Sequence, residues 1–167
     1  MTRTILACLA ATAVSAAALA DEHIEIAPIA FGDEMLEKAD EYGERELNRL
    51  AGYLTDDLEQ ALRGIDMMDG TRLEVTLLDA TPNRPTFQQL RNRVGLSMRS
   101  IGIGGAELEA RLVSEDGRVL EEFDYSWSSH NLREVYGAST WYDARRAFHL
   151  FSRRVRNEVH EELRGES

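Results

Sequence analysis

The chain has 167 residues, with 30 acidic side chains against 19 lysines and arginines and a formal net charge of −11 at pH 7. This length suffices for one domain with an ordinary hydrophobic core. A net charge of this sign repels nucleic acid and anionic lipid over long range, and the chain has no known nucleic-acid-binding motif. We therefore expect no nucleic-acid partner.

The first twenty residues, MTRTILACLAATAVSAAALA, predict a secretory signal peptide. Arg3 supplies a positive charge, Ile5 to Leu19 form an apolar run, and Ala18 and Ala20 frame a small-x-small cleavage site. The run is too short for a comfortable membrane span, and charged residues follow it at once. We expect cleavage after Ala20, no transmembrane segment in the mature chain, and a periplasmic location in a bacterium, with full secretion as the alternative.

The one cysteine of the chain, Cys8, lies inside this segment. Leu6 and Ala7 before it resemble a lipoprotein box only faintly, because four residues alone separate Cys8 from Arg3. Cleavage after Ala20 would leave a mature chain without cysteine. Disulfides, thiolate nucleophiles and cysteine-ligated metals are then excluded.

The next segment, residues 21–42, is predicted to be an extended or partly disordered leader, followed by a single α+β domain at residues 43–164. From about residue 44 to residue 63 the apolar spacing predicts a helix with one apolar stripe. The stripe consists of Leu47, Leu50, Leu54, Leu58, Ala61 and Ile65. Gly64 predicts the end of this helix.

Alternation of apolar and polar side chains predicts three strands, at 71–80, 106–113 and 118–127. The sequence SEDG at 114–117 predicts a hairpin turn between the last two strands. A long final helix is predicted from about residue 139 to residue 163, because apolar side chains recur there every three or four residues.

A proline-containing loop follows the first strand. Thr86 and Gln89 match a helix capping box and predict a short helix from 87 to about 93. The sequence does not decide whether Leu96–Ile103 adds a further strand.

Three glycines, Gly102, Gly104 and Gly105, superficially resemble a phosphate-binding loop. Such a loop must open a helix, whereas the residues after Gly105 alternate as a strand, and Glu107 stands where the third glycine is required. The glycines instead predict a bend or bulge leading into a strand.

Together these elements predict a two-layer α+β sandwich in the order helix, strand, short helix, strand, strand, helix. A small antiparallel sheet of three or four strands would carry both long helices on one face, since each helix has one apolar stripe to cover.

Charge is distributed unevenly along the chain. Residues 21–64 hold thirteen acids against four basic residues, whereas residues 81–106 hold four arginines and no acid. We expect two cationic groups to contact a ligand or partner. They are the arginines around the proline loop (Arg84, Arg91, Arg93, Arg99) and a band on the last helix (Arg145, Arg146, Arg153, Arg156, His149, His160).

The band on the last helix falls within an arc of about 100° at 100° per residue. It suits an anionic lipid headgroup, a glycan or an acidic partner, and it would bind more strongly once the histidines are protonated. The alternative is a solvated face, or one paired with the acidic first helix. The same alternative applies to the arginines around the proline loop.

The segment DYSWSSHN contains the side chains of a Ser–His–Asp triad, namely Asp124, Ser126, Ser128, Ser129 and His130. A triad is recognised by its geometry, and the chain has no Gly-x-Ser-x-Gly elbow. A strand end passing into a polar turn is the simpler interpretation.

No metal site or cofactor is predicted. His149 and His160 are eleven residues apart, about 16 Å along a helix, and so they would not share an ion. His23 lies in the predicted leader.

The segments PNRPTFQQL, GLSMRSIGIGGAELEARLVSEDGRVL and WYDARRAFHLFSRRV resemble small proteobacterial envelope proteins of unknown function. The resemblance covers roughly residues 42–160. Some such families are lipoproteins, and this chain departs from them in lacking a well-placed lipidation cysteine. The resemblance implies an exported domain and brings no catalytic residues.

We therefore expect a non-catalytic exported domain that binds an envelope partner or an anionic ligand. The alternative is a small serine hydrolase that uses Asp124, one of Ser126, Ser128 and Ser129, and His130. A third hypothesis, an acidic chaperone-like protein without a fixed partner, predicts broad and weak binding.

Overall fold

The computed structural model describes residues 24–65 and 70–164. The predictions of a signal peptide, of cleavage after Ala20 and of a cysteine-free mature chain concern residues outside these ranges. Within them, no helix combines the length and the apolar character that a membrane span requires.

In the described ranges the chain forms short strands and helices first and long ones later. The early elements are β1 (Glu25–Ile26), β2 (Ala30–Phe31), α1 (Asp33–Glu37) and α2 (Ala39–Tyr42). The later ones are α3 (Glu44–Leu62), β3 (Arg72–Thr81), α4 (Phe87–Asn92), β4 (Gly105–Val113), β5 (Val119–Ser128) and α5 (Tyr142–Arg164). From α3 onward this is the predicted order of elements.

The three long strands form an antiparallel meander. Leu73 of β3 pairs with Leu112 of β4, and Leu108 of β4 pairs with Tyr125 of β5. Because side chains alternate between the two faces of a strand, this register places the apolar side chains of all three strands on one face.

The sheet as a whole is mixed, so the prediction of a purely antiparallel sheet was wrong. β1 and β2 both pair in parallel with β3, with Ile26 opposite Leu73 and Phe31 opposite Leu77. Each of these strands is only two residues long and Pro28 lies between them. A stretch this short cannot display the alternation from which the other strands were predicted. The α+β class itself is confirmed.

Residues 24–42, predicted as the leader from residue 21 onward, contribute to the core. Met35 of α1 is fully buried, and Tyr42 at the end of α2 is buried against Trp141, with ring centroids 5.4 Å apart in an edge-on arrangement. Lys38 forms an ion pair with Asp79 of β3. These contacts hold α1 and α2 beside β3.

Both long helices bury their apolar stripes in one cluster with the inner face of the sheet. Leu50 and Leu54 of α3, Phe148 and Phe151 of α5, and Leu108 of β4 are all buried there. Burying each of these side chains contributes about 1.5–3 kcal/mol. The opposite, outer face of the sheet is polar and carries Glu74, Glu109 and Glu122.

The segment Leu96–Ile103 contains turns and no strand. β4 begins only at Gly105, where its backbone pairs with Thr81 of β3 and Ser128 of β5. The short helix α4 begins with the predicted capping box, in which Thr86 Oγ1 accepts from Gln89 N and Gln89 Oε1 accepts from Thr86 N.

Candidate functional site

One end of the sheet gathers most of the irregular chain. β3 ends, β4 begins and β5 ends at the paired residues Thr81, Gly105 and Ser128, and α5 begins at the same end. The segments 82–104 and 129–141 therefore lie together, and we call them the loop end. Backbone hydrogen bonds join the two, since Asn83 N donates to Thr140 O at 2.7 Å.

A buried carboxylate holds the loop end together. Asp143, in the first turn of α5, is completely buried. Its Oδ2 accepts from Asn83 Nδ2 at 2.5 Å and from Gly104 N at 3.1 Å, and its Oδ1 accepts from Ser129 Oγ at 2.8 Å. These three hydrogen-bond donors and the N-terminal end of the helix together stabilise a carboxylate that is buried away from solvent.

Two glycines allow the backbone to approach these groups. A Cβ at Gly104 would lie 2.7 Å from Thr81 O and 2.8 Å from Asn83 Oδ1, and one at Gly105 would lie 2.5 Å from Trp127 O. Both glycines have φ angles that any residue adopts, because neither is among the positive-φ residues. The glycines are required here by space, at the entry to a strand, and not by a phosphate.

The predicted arginines around the proline loop divide into two kinds. Arg84 is half-buried and donates from Nε to Ala138 O at 2.5 Å and from Nη1 to Met98 O at 3.0 Å, so it ties the two segments of the loop end together. Arg93 forms an ion pair with Glu41 at 2.7 Å. Arg91 and Arg99 are exposed.

The first two arginines of the band on α5 stack on aromatic rings. Arg145 Cζ lies 4.4 Å from the ring centroid of Tyr53 in α3, and Arg146 Cζ lies 4.9 Å from the ring centroid of Trp127 in β5. Stacking restrains a guanidinium while its in-plane N–H groups remain free to donate.

A pocket of about 310 Å³ opens beside these two arginines. It is lined by Asp57, Ser139, Tyr142, Arg145, Arg146 and His149, and we call it the arginine pocket. Burial raises the pKa of Asp57, and the neighbouring charges of His149 and Arg145 oppose that rise in part. The pocket thus holds two arginines and a histidine against one carboxylate.

The remaining residues of the band lie outside the arginine pocket. Arg156 donates from Nη1 to Ala61 O at 3.0 Å, which links α5 to the end of α3. Arg153 and His160 are exposed. The structure therefore brings together Arg145, Arg146 and His149 of the six predicted residues.

The residues of the hydrolase hypothesis do not converge. Ser129 is buried and donates to Asp143, whereas His130 is exposed. Asp124 precedes Ser128 by four residues on one strand, about 13 Å at the rise of a strand. No hydrogen bond of the described residues joins His130 to a serine, so the structure gives this hypothesis no support.

A second concave surface, of about 610 Å³, lies over the outer face of the sheet. Its lining includes Glu74, Glu109, Glu122 and Asp124, with Arg111 as the cation. Arg111 is already paired with Glu74 at 2.8 Å. This surface would repel an anion. Across residues 24–65 and 70–164, no group of three or more His, Cys, Asp or Glu side chains is arranged to hold a metal.

Sequence reasoning missed Asn83 and Asp143, as well as the aromatic partners of Arg145 and Arg146. The sequence does contain a signal for Asp143, since an acidic residue in the first turn of a helix interacts favourably with the helix dipole. The pairing of Arg145 with Tyr53 and of Arg146 with Trp127 had none, because the partners are 92 and 19 residues away in the chain.

No protein-family model matches the chain, and no curated protein matches it. Among solved structures, the chain is similar to a minor lipoprotein from Acinetobacter baumannii, at 10% sequence identity and a TM-score of 0.34. The similarity covers 85% of this chain and 95% of that one. A TM-score of this size does not establish a shared fold.

Proposed function

We propose that this protein is a non-catalytic exported domain that binds an anionic group, carried by a small ligand or by an envelope partner, in the arginine pocket. The observation that supports this most is the pair of stacked arginines, Arg145 and Arg146, at one pocket of α5. An anion bound there would receive charge-assisted hydrogen bonds, which are about twice as strong as neutral ones.

The two arginines are prepared for binding because their side chains are already restrained. Tyr53 of α3 lies against the guanidinium of Arg145, and Trp127 of β5 lies against that of Arg146. In the described part of the chain neither guanidinium forms an ion pair with a carboxylate within 4.0 Å. Less side-chain entropy is then lost on binding than with free arginines.

The size of the pocket and its polar groups indicate the class of ligand. A volume of about 310 Å³ is at the lower end of the range of small-molecule sites. A phosphate, a sulfate or a compact carboxylate fits this volume. Ser139 and Tyr142 add hydroxyl groups to the lining of the pocket, and His149 adds an imidazole N–H group.

The test is a titration of ¹⁵N-labelled protein with inorganic phosphate, followed by amide chemical shifts. We expect saturable shifts at Ser139, Tyr142 and His149. The double variant Arg145→Gln/Arg146→Gln should bind about a hundredfold more weakly or worse, because the two lost charged hydrogen bonds each remove about 1.5–3 kcal/mol.

Arg118→Gln serves as the matched control, because Arg118 lies in the hairpin at the other end of the sheet and pairs with Asp116 at 2.8 Å. Its phosphate affinity should equal that of the wild type. Equal affinity of the double variant and the wild type, with thermal melting of both unchanged, would refute the assignment of this pocket. If the double variant does lose phosphate affinity, in-cell crosslinking of the wild type and the double variant would identify any envelope partner that depends on the two arginines.

A further inference from the structure

We propose that the loop end is a docking surface for an anionic lipid membrane. This surface adjoins the arginine pocket, with which it shares Ser139 and Tyr142, and it rests on exposed apolar side chains and on charge. Of the nine large hydrophobic side chains that are exposed in the described ranges, seven belong to the loop end or to the first residue of α5. They are Phe87, Val94, Met98, Ile103, Leu132, Tyr136 and Tyr142.

These side chains are more exposed than apolar residues at the edge of a hydrophobic core. The exposed fractions are 107% for Val94, 86% for Tyr136 and 72% for Phe87. Side chains this exposed gain almost nothing from folding. Scattered exposed hydrophobic residues are ordinary in a soluble protein, whereas a concentration at one end of the molecule marks an interaction surface.

The charge of the loop end is opposite to that of the whole chain. Residues 81–106 contain four arginines and no acid, in a protein of net charge −11, and only Arg93 of the four is paired with a carboxylate, that of Glu41, among the described residues. Segment 129–141 adds Arg133 and Glu134, which cancel. An anionic surface would therefore repel most of this protein and attract this end, which would orient the protein as it approaches.

The mixture of side chains fits a lipid interface better than a protein groove. Exposed Arg91 and Arg99 lie in the same stretch as Val94 and Met98. At a membrane surface the apolar side chains enter the headgroup region while the guanidinium groups stay at the phosphates. Tyr136 adds an aromatic side chain of the kind enriched at that depth.

The loop end is also held in shape, so that its side chains need not be ordered on binding. Arg84 binds carbonyl groups of both segments, and Asp143 binds Asn83, Gly104 and Ser129. A restrained surface loses less entropy on docking than free loops do.

The experiment is co-sedimentation of the purified full chain with vesicles of phosphatidylglycerol and phosphatidylethanolamine, compared with vesicles of phosphatidylcholine alone. We expect binding to the first that weakens as salt is raised, and little binding to the second. Arg91→Gln/Arg99→Gln should weaken binding about fivefold per arginine. Val94→Ser/Met98→Ser should weaken it about tenfold.

The matched control is Arg118→Gln/Val119→Ser, the same types of residue at the hairpin on the opposite end of the sheet. All variants share the apolar N-terminal residues, so any contribution from these cancels in the comparison. Equal binding by the loop-end variants and the hairpin control overturns the proposal, as does absence of binding to anionic vesicles or equal binding to neutral ones. If the loop end docked a protein instead of a membrane, the chain would not bind anionic vesicles.

Discussion

Asn83 and Asp143 bind each other through two hydrogen bonds of opposite direction. Asn83 Nδ2 donates to Asp143 Oδ2 at 2.5 Å, and Asp143 N donates to Asn83 Oδ1 at 2.8 Å. The pair joins the loop after β3 to the first turn of α5, 60 residues later in the chain. Since Asp143 also binds Gly104 and Ser129, one carboxylate sets the positions of every segment that forms the loop end.

Replacement of Asp143 by alanine should strongly destabilise the protein. The change leaves buried donors of Asn83, Gly104 and Ser129 without an acceptor, and each lost partner costs about 1–3 kcal/mol. We expect a total loss of about 3–5 kcal/mol in the free energy of unfolding, measured by urea denaturation.

Asp143→Asn provides the control for this prediction. Its oxygen can accept from Asn83 and Gly104 while its amide donates to the hydroxyl of Ser129, which rotates to accept. The loss should be smaller, about 1–2 kcal/mol. If the asparagine variant were as unstable as the alanine variant, the negative charge itself, and not the hydrogen bonds, would be what holds the loop end.

Alanine at Gly104 or Gly105 should destabilise the protein by about 1–3 kcal/mol or more, as overpacking of a close contact does. The added Cβ would approach carbonyl oxygens of the backbone, at 2.7 Å and 2.5 Å respectively. These oxygens belong to paired strands and cannot move aside.

Gly52 is the matched comparison, because a Cβ there meets nothing within 4 Å and the residue lies inside α3. Gly52→Ala should stabilise the protein by about 0.5–1 kcal/mol, the ordinary preference of a helix interior for alanine. Both effects are read from thermal or urea melts. Equal tolerance at all three positions would contradict the close approach at the start of β4.

The long elements were predictable from the sequence because each carries a repeated pattern. α3 and α5 repeat apolar residues over several turns, and β3 to β5 alternate over nine or ten residues. β1 and β2 were not predictable, since a strand of two residues is too short to show an alternation of apolar and polar side chains. Their pairing with β3 depends on hydrogen bonds to a strand more than forty residues later, such as Ala27 N to Leu73 O at 2.9 Å. A local sequence pattern does not predict contacts between residues so far apart in the chain.

The candidate site was predictable in part for the same reason. Helical geometry placed Arg145, Arg146 and His149 on one arc of α5, which the structure retains. Which arginines are committed elsewhere depended on tertiary contacts. Arg84 and Arg156 bind backbone carbonyls of distant segments, and a sequence does not indicate that.

Ser152→Ala should leave the protein unchanged or make it more stable. Ser152 is 1% exposed in the middle of α5, and its Oγ has no hydrogen-bond partner in the described part of the chain. Removing an unsatisfied buried hydroxyl removes a penalty of about 1–3 kcal/mol, and alanine favours the helix slightly more than serine. A urea midpoint below that of the wild type would show that the hydroxyl has a partner in solution.

Asp57→Asn should stabilise the protein at neutral pH and strengthen anion binding in the arginine pocket. Burial raises the pKa of Asp57 in the folded state, so the folded protein holds this proton at pH values where the unfolded chain has lost it. The contribution of Asp57 to stability therefore falls as pH rises from its unfolded pKa, about 3.9, through its higher folded pKa. Above that window the ionised carboxylate is a penalty that asparagine does not have.

The measurement is the urea midpoint of Asp57→Asn minus that of the wild type, followed from about pH 3 to pH 7. The difference should be smallest at the acid end, rise through the window and then stay level. Asp116→Asn should behave in the opposite way, because hydrogen bonds from Ser114 and Arg118 lower the pKa of Asp116 and so stabilise the folded state above its unfolded pKa. A difference for Asp57→Asn that falls with rising pH would mean that the attraction of His149 and Arg145 outweighs burial. In that case, too, phosphate affinity should still increase in the variant, because one negative charge has left the arginine pocket.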